Sequence, residues 1–191
     1  MTSIGDRRTQ VLETAVELVG TRGVRALTHG RIDERSGLPK GSTSNYFRTR
    51  AALLAGVCDW IVEQELAELD PSFRPATVEE LVVGLSRGIE ALTGPARTRT
   101  AARLALFLEA SHDAELRTAI SRGRMMMEAI LTAALARLGA RDPDVAAAAV
   151  AACSEGIILH RVVRHVEIDP YPVIDLVVRA AVGYPGPLPR P

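Results

Sequence analysis

Leu27–Arg50 reads LTHGRIDERSGLPKGSTSNYFRTR, and the order of its capping and turn residues defines two short helices around a tight turn. Thr28 is a good N-cap, and Gly30-Arg31-Ile32-Asp33-Glu34-Arg35 can make about two helical turns before Ser36-Gly37 stops them. Gly37 can adopt the left-handed conformation that ends a helix, Leu38 can drop into a small core, and Pro39 suits the first turn of the next helix. That second helix is predicted from Pro39 to Phe47. Gly41 through Asn45 are mediocre helix formers in a row, an odd choice for a helix whose only task is packing. Lys40, Ser42, Ser44 and Asn45 instead offer a hydrogen-bonding surface, while Ile32 and Phe47 can anchor the two helices to each other.

Taken together, Leu27-Thr28, Ile32, Ser36-Gly37-Leu38, Lys40-Gly41-Ser42, Asn45-Tyr46-Phe47 and Arg50 followed by Leu53-Leu54 resemble the DNA-binding end of the TetR family of bacterial transcriptional regulators. The resemblance covers roughly residues 6–57. It implies a recognition helix with Lys40, Gly41, Ser42, Ser44 and Asn45 at the major groove, and Thr28, Tyr46 and Arg50 at phosphates. The chemistry agrees, since hydroxyls and amides read base edges while a phenol and a guanidinium fix the register on the backbone. Three positions depart from the family's pattern. Gly30 stands where a long polar side chain often supports DNA contact, Asp33 where a small alanine packs, and Thr43 where an apolar residue faces inward.

Around this stretch the chain is 191 residues long, 47% hydrophobic and 4% aromatic, with a formal net charge of zero. That composition favours helices and argues against disorder. The charge is unevenly spread: residues 1–56 hold nine Arg or Lys against five Asp or Glu, so the remainder carries the compensating negative excess. A basic end on an acidic body suits a protein that meets a polyanion with one part only. Cys58 and Cys153 are far apart in apolar helical patterns and read as buried thiols in a reducing cytoplasm, with a disulfide or redox switch as the alternative. No secretory leader and no long unbroken apolar run is apparent, so the expectation is a cytoplasmic protein with no membrane partner.

Apolar periodicity predicts about nine helices and no strands, an all-α fold. The first runs from Asp6 to Thr21 with Val11, Leu12, Ala15, Val16, Leu18 and Val19 inward; Arg7 and Arg8 at its start could reach phosphates. Thr49 caps a fourth helix to Leu69, ended by Asp70-Pro71 and Pro75. Thr77-x-x-Glu80 is a capping box opening the fifth. The sixth spans residues 96–111, the seventh Asp113 to Leu138 with a bend near Gly123, the eighth starts at Asp142-Pro143 and reaches His165, and the last spans Val173 to Val182. The expected organisation is a three-helix helix-turn-helix DNA-binding domain at 1–50, a helical effector-binding and dimerisation domain at 51–182, and a disordered proline-rich tail at 183–191.

Trp60, Phe107, Met126 and Glu155 are the candidate effector residues. Met125, Met126 and Met127 could shape an adaptable pocket or simply fill core. Glu155 has apolar neighbours at three and four residues' spacing, so its carboxylate needs a partner: a ligand amine, an internal arginine or a dimer mate. His160 and His165 are off one helical face, His112 reads as a helix-junction residue, and no nucleophile, P-loop or dinucleotide motif is present, so no enzyme activity, cofactor or metal is expected. The function expected is a ligand-responsive regulator: a homodimer through the last two helices, repressing at a palindromic double-stranded DNA operator and released by a small hydrophobic effector. The alternatives are an activator of the same family, and an all-α small-molecule-binding or adaptor protein whose helix-turn-helix is vestigial.

Overall fold

The computed structural model describes residues 4–68, 73–111 and 113–184. Among them the chain forms nine α-helices, one 3-10 turn and no strand: α1 Ile4–Arg22, the 3-10 turn Val24–Ala26, α2 His29–Ser36, α3 Ser42–Tyr46, α4 Arg50–Ala67, α5 Val78–Thr93, α6 Arg97–Ala110, α7 Ala114–Arg137, α8 Pro143–Val162 and α9 Pro170–Val182. Residues 69–72 of the expected linker, His112, and residues 185–191 of the expected tail lie outside the described residues.

The capping residues act as their chemistry dictates. Thr28, Thr49 and Asp142 each accept a hydrogen bond from the backbone N–H three residues on, at 3.3, 3.1 and 3.3 Å. At α5, Thr77 accepts from Glu80 N–H (3.1 Å), while the Glu80 carboxylate reaches back to Ala76 N–H (2.7 Å), so the reciprocal arm falls one residue earlier than a standard capping box. Pro170 and Pro172 do not precede α9 as expected but sit in its first turn, with Asp169 capping Tyr171 N–H at 3.0 Å. The eighth helix stops three residues short of the expected His165, which adopts a left-handed φ of 54° beyond it. The α7 helix continues through Gly123, where a Cβ would stand 2.9 Å from the Val62 methyls, so the glycine permits close packing.

Two compact units arise, residues 1–69 with 96–123, and residues 70–95 with 124–191. In the first, α1 packs chiefly against α6 and also against α2 and α4. Its core holds all six residues expected on the inner face of the first helix, together with Leu27, Ile32, Phe47, Leu53, Val57, Ile61 and Leu106. Gly20 allows the closest approach, since a Cβ there would collide with the Thr98 carbonyl of α6. Two ion pairs join α4 to α6, Glu68 with Arg99 and Glu65 with Arg103 at 3.2 Å. Burial holds the Glu65 carboxyl above its usual range against the pull of Arg103 and Arg99. In the second unit α5, α8 and α9 pack on one another through Leu81, Val82, Ile89, Val150, Ile157, Ile174 and Val178. The alanine-rich α8 has the length and composition of a membrane span, and in this fold it packs against α5 and α9.

Both cysteines are free thiols. Burial pushes the Cys58 thiol up to about 12, with Asp59 adding to the rise, so Cys58 is inert as a nucleophile at neutral pH.

Candidate nucleic-acid interface

The turn after α2 is built as its sequence requires. Gly37 takes φ 68° and donates to Glu34 O, while Leu38 N–H donates to Asp33 O at 3.0 Å. The second helix, however, is shorter than expected: it begins at Ser42, because Gly41 adopts φ 94° and Ser42 N–H closes a turn on Pro39 O (3.0 Å). Lys40 and Gly41 therefore lie in the turn before α3, not on it.

What fixes α3 is a side chain of α2. Asp33 is 4% exposed and its carboxylate accepts three hydrogen bonds, from Gly41 N–H (2.7 Å), Thr43 N–H (2.8 Å) and the Thr43 hydroxyl (2.6 Å). The two backbone N–H groups are donors that the N-terminus of a helix leaves unpaired, and a carboxylate there also meets the positive end of the helix dipole. Burial raises the Asp33 pKa, but the three hydrogen bonds outweigh it and leave the group below the ordinary carboxylate range. Asp33 and Thr43, two of the departures from the family pattern, thus form one polar unit. Either residue alone would be a misfit; only their pairing explains both.

The far end of α3 is held to the start of α2 and to α1. His29 Nε2 lies 2.6 Å from Phe47 O, and since a carbonyl only accepts, that nitrogen carries the proton. The Arg8 guanidinium stands over the Phe47 ring, 5.6 Å from its centroid. Gln10 of α1 donates to Ser36 O at 2.8 Å. With Thr43 fully buried, the opposite side of α3 faces solvent: Ser44 and Asn45 are exposed, as is Lys40 before it, while Ser42 and Tyr46 are half-buried. Ser42 spends its hydroxyl proton on Pro39 O (2.6 Å).

Two expected phosphate ligands have structural partners of their own. Thr28 caps α2, and Arg50 donates from its two terminal nitrogens to Leu27 O (2.5 Å) and Val24 O (2.9 Å). Arg50 remains exposed, and its guanidinium has further N–H groups to offer. The candidate effector residues are divided: Trp60 and Phe107 lie half-buried against the core of the first unit, and Met126 and Glu155 belong to the second, both exposed. Met125 and Met127 are also exposed, so the methionine run fills no core in the single chain. Glu155 is not enclosed by its apolar neighbours; it lies within electrostatic reach of Arg124 on α7. An open cleft of about 410 Å³ between the segment Phe73–Pro75 and α5 contains none of the four.

Residues 76–184 match the family described as Tetracyclin repressor-like, C-terminal domain. No curated protein sequence matches the chain. Among solved structures, the multidrug binding protein EbrR complexed with ethidium is 23% identical, with a TM-score of 0.72 over 92% of this chain and 98% of that one. A transcriptional regulator from Rhodococcus sp. Rha1 superposes with a TM-score of 0.80 at 16% identity, over 92% of this chain and 96% of that one. A TetR-family member from Streptomyces coelicolor A3 gives 0.72 at 22%, over 92% and 98%. These neighbours share the fold. An all-α chain with a helix-turn-helix at its N-terminal end defines a DNA-binding regulator class, and the family match is specific: the chain belongs to the TetR family of transcriptional regulators.

Proposed function

We propose that the chain is a homodimeric repressor that binds a palindromic operator through α3 and is released by a small hydrophobic effector. The observation that carries this reading is the polar, solvent-facing surface of α3, clamped at its start by a buried carboxylate. A helix this short, with poor intrinsic propensity, is fixed that firmly when its outer side chains must meet a partner in register. Residues 1–50 read DNA, with Lys40, Gly41, Ser42, Ser44 and Asn45 toward base edges and Thr28, Tyr46 and Arg50 toward phosphates. Residues 51–182 receive the effector and dimerise. Access to genomic DNA places the protein in the cytoplasm.

One such helix meets only a few base pairs, so a two-fold dimer reading half-sites about one helical turn apart supplies the remaining affinity. The last two helices offer the apolar surface for it. Val145 and Leu159 of α8 and Leu176 of α9 are exposed in the single chain, Leu176 to 72%, and small residues along α8 allow close approach. Leu176→Glu is expected to convert a dimer to monomer in sedimentation velocity, with a loss of operator affinity; an unchanged dimer would move the interface elsewhere. Two of the solved neighbours are complexes of EbrR with ethidium and with proflavin, which supports an effector with a flat aromatic body for this chain too. Of the expected effector residues, Trp60 and Phe107 of the first unit offer apolar contact for such a molecule. The effector releases DNA to the extent that it prefers a dimer spacing unmatched to the operator.

The test is selection of bound duplexes from a random pool. A palindromic motif is expected, and unselected output would sink the proposal. With that motif in hand, Asn45→Ala or Lys40→Ala is expected to cost about 1–3 kcal/mol and relax base preference. Tyr46→Phe and Arg50→Ala are expected to weaken every sequence alike.

A further inference from the structure

On the side of α2 away from α3 lies an open cleft of about 740 Å³, lined by Leu18 and Arg22 of α1, Arg25 and Ala26 of the 3-10 turn, and Arg31, Glu34 and Arg35 of α2. At 100° per residue Arg31 and Arg35 project from α2 roughly opposite Asp33, the residue that holds α3. Four guanidiniums converge there. Arg35 is neutralised by Glu17, whose carboxyl is held low by its hydrogen bond to Arg35 and by the charges of Arg35 and Arg22. Among the described residues Arg22, Arg25 and Arg31 form no ion pair, and all three are exposed. Arg25, Arg31 and an Arg22 that shares the Glu17 charge with Arg35 thus line the cleft beside Glu34. Like charges gathered on one small surface repel, and an anion in the cleft relieves that repulsion.

The cleft starts at the N-terminal end of α2, where Arg25 and Ala26 lead into Leu27 and the Thr28 cap. We infer that this cleft is a second DNA-backbone track: Arg22, Arg25 and Arg31 neutralise phosphates flanking the half-site read by α3 and lengthen the footprint without adding base preference. The inference rests on the operator-binding reading above. Guanidinium forks suit phosphate oxygens, and a duplex seated on α3 brings a continuous row of them past the mouth of the cleft.

The experiment compares two duplexes, one carrying the selected operator alone and one with about ten further base pairs on each side, across a range of salt. The wild type is expected to bind the longer duplex roughly tenfold or more tightly at low salt, with a steeper dependence on salt. The triple variant Arg22→Gln/Arg25→Gln/Arg31→Gln is expected to lose that advantage, lowering the slope of log affinity against log salt by about 2–3 per subunit. It should keep its base preference and its helical circular dichroism, because the three side chains are exposed and unpaired. Replacing the three by lysine should restore much of the slope. Wild-type binding that is indifferent to flank length, or a triple variant with an unchanged slope, overturns the track while leaving operator recognition intact. Absence of all duplex binding by the wild type overturns operator recognition itself, and the track with it.

Discussion

Asp33→Ala is expected to lower the free energy of unfolding by about 3 kcal/mol in urea denaturation and to abolish operator binding. The carboxylate serves three donors, two of them on the fully buried Thr43. Hydrogen bonds to a charged group contribute about 1.5–3 kcal/mol each, and a buried donor left unpaired costs about 1–3 kcal/mol. Relief of the carboxylate's own burial offsets part of that sum, which is why the expectation lies below it. The pairing itself is measurable. Asp33→Ala/Thr43→Val restores the alanine and apolar residue of the family pattern, removes both halves of the side-chain contact, and should cost less than the two single changes added together, by about 2 kcal/mol. Additive single effects would show that the two departures are independent.

The same residue sets a pH signature. Its folded-state pKa lies below the unfolded value of about 3.9, so its contribution is present above that value and is lost as pH falls through the folded one. The stability gap between wild type and Asp33→Ala should therefore be flat from neutrality to about pH 5 and close at lower pH.

The second large effect is expected at Gly20. A Cβ there lands on the backbone carbonyl of Thr98, and a main-chain atom within a helix cannot swing aside. Overpacking costs about 1–3 kcal/mol where side chains can adjust, so Gly20→Val, which also adds two methyls, should cost at least about 3 kcal/mol. Gly20→Ala should destabilise too, although alanine has the higher helix propensity. Gly30 supplies the contrast: nothing lies within 4 Å of a Cβ built there, and it sits inside α2. Gly30→Ala is therefore expected to stabilise by about 0.5–1 kcal/mol. If both alanine variants shifted the urea midpoint in the same direction, α1 and α6 would not approach as closely as described.

Most of the helix pattern was legible because it depends on local chemistry. Thr28, Thr49, Thr77 and Asp142 cap where a hydroxyl or carboxylate can reach the first free N–H, and Gly37 turns left-handed where only glycine does so without cost. The start of α3 departs from the expectation for a local reason as well: Gly41 adds a second left-handed turn, and Pro39, whose fixed φ suits a first helical position, precedes that turn. Nonlocal partnerships were not legible. Nothing in the spacing of Asp33 and Thr43 marks them as a pair, since the link crosses a turn whose path depends on two glycines. Nor does periodicity distinguish Arg50 the phosphate ligand from Arg50 the fastener of two carbonyls. The methionines and Glu155 show a further limit. Apolar spacing marks residues suited to burial, and the single chain leaves Met125, Met126, Met127 and Glu155 exposed.

Arg50 stands on the first residue of α4 and grips the carbonyls of Val24 and Leu27, the two positions that bracket the approach to α2. Those bonds make the leading turn of a long rod and the threshold of the α2–α3 pair a single mechanical piece. Any tilt of the rod's near end carries the threshold with it, and the orientation of that pair becomes a reporter of strain arising farther along the shaft.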